Sequence, residues 1–135
     1  MPARSNFPPA AAERKKRRRR ARNHGRRAEI FAALFLGLKG YRILARGFRV
    51  DGGEIDLIAI KSDSIVFVEV KLRPTLDEAR LAIDATKRRR MSRAAKVWLT
   101  ANPWAVAMTL RGDAMALAPW RWPQHSPAAI ELDIG

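Results

Sequence analysis

The sequence predicts an α/β domain: a mixed central sheet flanked by helices, behind a basic leader. Three observations predict it. Two segments of helical period bracket a run of short segments rich in β-branched residues. Those short segments are joined by polar turn signals too brief for crossovers, so the first three strands form a meander. The resulting order, α-β-β-β-α-β-β, brings a strand back into the sheet after the second helix.

Each element has its own signature. From His24 to Lys39 the apolar spacing is helical, with Asn23 or His24 as cap, Glu29 near the start and Gly40 as stop. Tyr41 to Val50 reads as a strand ended by Asp51-Gly52-Gly53. Glu54–Ile60 and Ile65–Lys71 are strands joined by Lys61-Ser62-Asp63-Ser64. Pro74 to Glu78 is expected as a loop. Leu81 to Ala101 is then helical, with Ile83, Met91, Ala94, Ala95 and Trp98 on one face, and Asn102-Pro103 ends it. Arg111 to Leu117 is a strand, Pro119 to Pro127 a turn region rich in Trp and Pro, and Ala128 to Ile134 a short last strand.

Composition bounds the chemistry. The chain has 135 residues, 27 Lys+Arg and 13 Asp+Glu, for a formal charge of +14. Without cysteine there is no disulfide framework, no thiolate zinc site and no thiol catalysis. Two histidines, His24 and His125, make a His-rich metal site a poor expectation. Residues 1–27 hold 11 basic groups and the single acid Glu13, so +10 of the charge sits in the first fifth of the chain. Residues 1–22 are expected to be a disordered arm whose Arg17, Arg18, Arg19 and Arg20 neutralise phosphates without reading sequence. Residues 23–135 form the single domain.

A secretory signal is disfavoured, because Glu29 abuts the apolar run Ile30–Leu36, Lys39 closes it and no small-residue cleavage site follows. No apolar stretch approaches the roughly 18 residues of a membrane span. The expectation is a cytoplasmic protein with no membrane contact and DNA as its partner. The oligomeric state, a homodimer included, is left open.

The chemistry lies in the most apolar strands. If the turn has two loop residues, Ser62 and Asp63, then Asp56 falls opposite Glu69. Lys71 stands two residues from Glu69 on the same face, as Glu54 does from Asp56. A three-residue loop would put the two acids on opposite faces. Opposed carboxylates in an apolar strand pair are destabilising. Something cationic must separate them. One reading is a salt-bridged network, with Lys71 on Glu69 and an arginine on Asp56. The other is a hard divalent cation, Mg²⁺ or Mn²⁺, held by oxygen ligands and used with Lys71 to hydrolyse a phosphodiester.

The residues also carry a resemblance. Asp56, a 12-residue gap, then Glu69-Val70-Lys71 resembles the signature of the PD-(D/E)XK, restriction-endonuclease-like nucleases. Gly53-Glu54-Ile55-Asp56-Leu57-Ile58-Ala59 and Val66-Phe67-Val68-Glu69-Val70-Lys71-Leu72-Arg73 are similar to the YraN-like group, uncharacterised protein family 0102. So are Glu29 with Ala32-Ala33 and Leu36, Gly40 to Arg46, Lys87 and Arg93-Ala94-Ala95. Where that family usually has asparagine, this chain has Gly47. Where it tends to read Arg-Phe-Asp-Val-Val, this chain has Arg111-Gly112-Asp113-Ala114-Met115. The leader lies outside the family pattern.

The resemblance implies a restriction-endonuclease-like α-β-β-β-α-β core and a metal-dependent endonuclease acting on DNA, branched or damaged DNA included. Asp56, Glu69 and Glu29 would hold the Mg²⁺ or Mn²⁺ ion and Lys71 would act on the attacking water. Glu29 has a second reading as a first-turn charge offsetting the helix dipole, and Lys87 as a snorkelling lysine. Lys87, Arg88, Arg89, Arg90 and Arg93, with Arg73 just beyond Lys71, are the candidate phosphate contacts of the domain. Trp104, Trp120 and Trp122 are candidates to stack on bases or to plug the end of the sheet. The alternatives are a non-catalytic nucleic-acid-binding protein on the same fold, or an accessory factor whose acids are structural.

Overall fold

The computed structural model describes the backbone of residues 11–134 and, outside 16–24, their side chains. Helix α1 spans Ala11–Leu38. Strands β1 (Arg42–Val50), β2 (Gly53–Lys61) and β3 (Ser64–Leu72) follow, then helices α2 (Leu76–Leu81) and α3 (Ala85–Ala101). A 3₁₀ turn over Pro103–Ala107 leads to β4 (Thr109–Leu117) and β5 (Gln124–Ile130).

The five strands lie in the order β1-β2-β3-β4-β5. β1, β2 and β3 are an antiparallel meander, β4 is parallel to β3, and β5 is antiparallel to β4. The parallel step needs a crossover, and α2 with α3 supplies it. α1 lays Ala28, Ala32 and Leu36, spaced by four, on Leu57, Ala59, Val66, Val68 and Met115. α3 covers the other face with Met91, Ala94, Ala95, Trp98 and Leu99 against Ile58, Ile65 and Phe67. Phe67 and Trp98 meet edge to face at 5.8 Å between ring centres. Loss of either ring would cost about 3–5 kcal/mol. This mixed sheet between helices is the restriction-endonuclease-like core that the sequence resemblance implies.

Four expectations change. The backbone is helical from Ala11, so the arm expected to be disordered through residue 22 is helical over 11–22, and Asn23 and His24 are interior residues rather than caps. Ala, Lys and Arg are strong helix formers, and they extend a helix whose later turns are anchored on the sheet. Residues 1–10 lie outside the described residues.

Pro74–Glu78 is not all loop. Thr75 caps α2 through its hydroxyl, which accepts from the Glu78 N–H at 3.2 Å. The long second helix is therefore two helices, and Asp84 caps α3 by accepting from the Lys87 N–H at 3.0 Å. The last strand comes earlier than expected, as Gln124–Ile130 rather than Ala128–Ile134. Its position is set by Asp113, which binds His125 and the Ala128 N–H.

A candidate acidic active site

The β2–β3 turn has two loop residues, with Lys61 paired to Ser64. That register carries Leu57 to Val68, where the ladder closes; the next pair in line is Asp56 and Glu69. At that point the side chain replaces the backbone, because the Val70 N–H donates to Asp56 Oδ2 at 2.7 Å. Apolar alternation along β2 slips at the same place. Ile55 packs with Ile58 on the α3 side, while Leu57 and Ala59 pack on the α1 side. Where the pairing stops, a cleft of about 1150 Å³ opens, lined by Glu29, Glu54, Asp56, Glu69, Lys71, Arg73 and Lys87 with further arginines.

Glu69 is 2% exposed and its Oε1 lies 2.8 Å from the Lys71 ammonium. Its Oε2 is buried with no hydrogen-bond partner. Lys87, from the first turn of α3, reaches within 3.9 Å of Glu69 and 3.8 Å of Glu54. α3 can sit that close to β2 because Gly53 has no side chain: a Cβ there would stand 2.5 Å from the Arg90 carbonyl oxygen. Lys87 thus lines the cleft and faces its acids rather than lying on a solvated helix face.

Glu29 enters from the opposite helix. Because α1 begins at Ala11, Glu29 lies deep inside the helix and has no first-turn dipole to offset. Its carboxyl is instead within hydrogen-bonding reach of Asp56 and near Arg49 and Arg46. Gly47, at φ +61°, passes beside it, and a Cβ there would be 3.7 Å from Glu29 Oε2. Asparagine, which the sequence resemblance leads one to expect at this point, also tolerates the left-handed conformation.

The electrostatics follow from this crowding. Burial, then the Glu69 charge and the Glu29 charge, push the Asp56 carboxyl up to about 8, although the Val70 N–H favours the ionised form. Burial likewise raises Glu29, partly offset by its hydrogen bond to Asp56 and by Arg49. Burial alone would lower Lys71; the bond to Glu69 and its charge outweigh that and hold the ammonium protonated. Asp56, Glu69 and Glu29 bring only oxygen donors to the cleft, and Asp56 retains a proton within hydrogen-bonding reach of Glu69. A hard divalent cation in place of that proton would relieve the crowding of the three carboxyls, so the residues fit such an ion by their chemistry. Among the described residues, no three acids or histidines already close around one point.

The expected phosphate contacts divide. Arg73 and Lys87 line the cleft. Arg90 reaches it through Glu54, at 3.8 Å. Arg88 and Arg89 are exposed on α3 and do not line it. Arg93 donates to the Asp51 carbonyl and braces the β1–β2 turn. The side chains of Arg17, Arg18, Arg19 and Arg20 lie outside the described residues.

Three cleft arginines were missed by the sequence reading: Arg26 on α1, and Arg46 and Arg49 on β1. Arg49 pairs across the strands with Glu54, its Nε 3.7 Å from Oε2. Carrying the meander register one strand further, from β2 to β1, would have found that pair. Among the described residues, no helix is long and apolar enough to cross a membrane.

The model of "Uncharacterised protein family UPF0102" matches residues 28–117, which run from the start of the packed part of α1 to the end of β4. A UPF0102 protein of Methylocella silvestris is 61% identical over 111 residues, covering 82% of this chain and 90% of that protein. One from Methylobacterium nodulans is 55% identical, covering 83% and 85%. A third, from Rhodopseudomonas palustris strain HaA2, is 45% identical over 129 residues, 96% of this chain and 97% of its own. That last match reaches well into the basic leader, which the family model leaves out. The chain belongs to the UPF0102, YraN-like family.

Proposed function

We propose that the protein is a metal-dependent endonuclease that hydrolyses phosphodiester bonds in DNA at the cleft between β2, β3 and α1. The observation that carries this reading is the junction of Asp56 and Glu69 at the open end of the β2–β3 ladder, with Lys71 at 2.8 Å from Glu69 and one Glu69 oxygen orphaned. Asp56, Glu69 and Glu29 would hold Mg²⁺ or Mn²⁺. Such an ion supplies charge neutralisation at the phosphoryl group and makes water more acidic.

The chain's own groups do the rest. Lys71 is only 13% exposed and is held protonated. In the metal-free chain this favours the ammonium form, which suits a cation against the developing phosphorane charge or a hydrogen-bond donor to the nucleophile. Arg46, Arg49, Arg73 and Lys87 ring the acids and suit the phosphates on either side of the scissile one. The leader adds long-range attraction for the polyanion.

One feature favours a non-catalytic DNA-binding role instead: Lys71 and Lys87 already neutralise Glu69. A panel of duplex, flap, four-way junction and single-stranded DNA, incubated with Mn²⁺, decides between them. The nuclease reading expects cleavage of at least one member, lost in EDTA and in Asp56→Asn. Binding of the same DNA with no cleavage by the wild type supports the alternative.

A further inference from the structure

The tryptophans singled out by sequence fall into two groups. Trp104, in the 3₁₀ turn ahead of β4, packs edge to face on the core residue Trp98 at 6.0 Å and stays half exposed at the far end of the sheet. Trp120 and Trp122 do not plug anything. They are 101% and 83% exposed, in the turn between β4 and β5, with Arg121 exposed between them.

That turn sits at the cleft end of the sheet. β3 and β4 are parallel, with Lys71 opposite Ala116 and Leu72 opposite Leu117. The Arg73 N–H continues the pairing by donating to the Leu117 carbonyl at 3.1 Å. Trp120 is three residues beyond Leu117, at most roughly 11 Å of chain. The cleft wall at Leu72 and Arg73 is thus hydrogen-bonded to the end of the strand that leads into the tryptophan turn, though the turn itself does not line the cleft.

The turn is also stiff. Pro119 and Pro123 bracket it, the Arg121 N–H donates to the Ala118 carbonyl at 3.3 Å, and Trp120 holds a left-handed φ of 61°. Two large indoles are thus held out in water instead of folding back on the core, which costs hydration with no return in the free protein.

We propose that Trp120 and Trp122 are a stacking platform for unpaired bases of the nucleic acid whose backbone enters the acidic cleft. The proposal rests on the nuclease reading for its strand path and narrows the substrate to DNA with single-stranded character beside the scissile phosphate. Arg121 and Arg73 supply the phosphate contacts between platform and cleft. Stacking is sequence-tolerant, because every base presents a π-face.

The test uses the full chain in EDTA, so cleavage plays no part in it. Two labelled oligomers of equal length are titrated: oligo-dT, and an abasic sugar-phosphate oligomer with the same charges and no bases. The leader and the cleft arginines attract both alike, so the ratio of affinities isolates stacking. Wild type should prefer oligo-dT by about tenfold or more. The pair Trp120→Ala/Trp122→Ala should bring the ratio near one and leave abasic affinity unchanged, while Trp120→Phe/Trp122→Phe keeps most of the preference.

A ratio near one in the wild type, or one unchanged in the alanine pair, overturns the platform. So does a concentration-dependent dimer that the alanine pair abolishes while the ratio stands, which would assign the turn to a second copy of the chain. A platform confirmed here with no cleavage under Mn²⁺ would sink the nuclease reading alone. Cleavage of plain duplex with a ratio near one would sink the platform alone.

Discussion

Glu69 gives one carboxylate oxygen to the Lys71 ammonium at 2.8 Å and leaves the other buried without a partner. An unsatisfied buried acceptor costs on the order of 1–3 kcal/mol. Asp56 lies within hydrogen-bonding reach of Glu69, and the proton it retains offsets part of that cost in the metal-free chain.

The repulsion at Asp56 has a pH signature. Its pKa is raised from the ordinary 3.8 to about 8, so between those values the native chain holds a proton that the unfolded chain has released. Stability from this group is full below about pH 4, falls as pH rises to 8, and is flat above. Asp56→Asn removes the slope. In EDTA the variant should gain on wild type by roughly 4 kcal/mol between pH 5 and pH 9, the slope that a shift from 3.8 to about 8 carries. Thermal melts at the two pH values check this; equal differences at both would show that Asp56 is not crowded.

Lys71 is the nearest cation to Glu69, and its stability role can be read apart from any role in cleavage. Lys71→Met leaves the buried Glu69 carboxylate without that cation and should cost about 3 kcal/mol in urea titrations. Lys71→Met/Glu69→Gln should recover most of that loss. Under conditions where the urea titration shows Lys71→Met folded, its cleavage should be at least 100-fold down. A folded Lys71→Met that still cleaves at the wild-type rate would make Lys71 a structural partner only.

A second buried acid has a different assignment. Asp113 is 0% exposed; Arg111 binds it twice, at 2.7 and 2.8 Å, His125 Nε2 lies 2.7 Å away, and the Ala128 N–H donates at 3.0 Å. Burial pushes its carboxyl up, but the bonds from His125, Arg111 and Ala128 outweigh this and hold it at about 2. Its contribution is therefore present above pH 4 and lost only as pH falls through about 2. Asp113→Ala should cost about 3–5 kcal/mol at pH 7 by stranding Arg111 and His125. Asp113→Asn should converge on wild type as pH approaches 2. Melts from pH 2 to 7 read both; a constant gap for the asparagine variant would contradict the assignment.

Sequence made the centre of the molecule legible and its margins less so. Alternating apolar residues and a polar two-residue turn set the β2–β3 register, and with it the meeting of Asp56 and Glu69. Lys87 was marked by its place on the apolar face of α3. Local capping by Thr75 and Asp84 was masked by the helical period on either side. The start of α1 was obscured because charge repulsion and high helix propensity point in opposite directions over residues 11–22. Arg46 and Arg49 converge on the acids only through the tertiary pairing of β1 with β2. The early start of β5 depends on Asp113 binding across strands, which no local pattern announces.

The account rests on Glu29, Asp56 and Glu69 being a cation site rather than a closed network of salt bridges. Calorimetric titration of Mn²⁺ into the metal-free full chain, beside Asp56→Asn, tests this most directly. A cation site gives a saturable heat in the wild type that the asparagine variant abolishes. No heat in the wild type, or the same heat in both proteins, would contradict it.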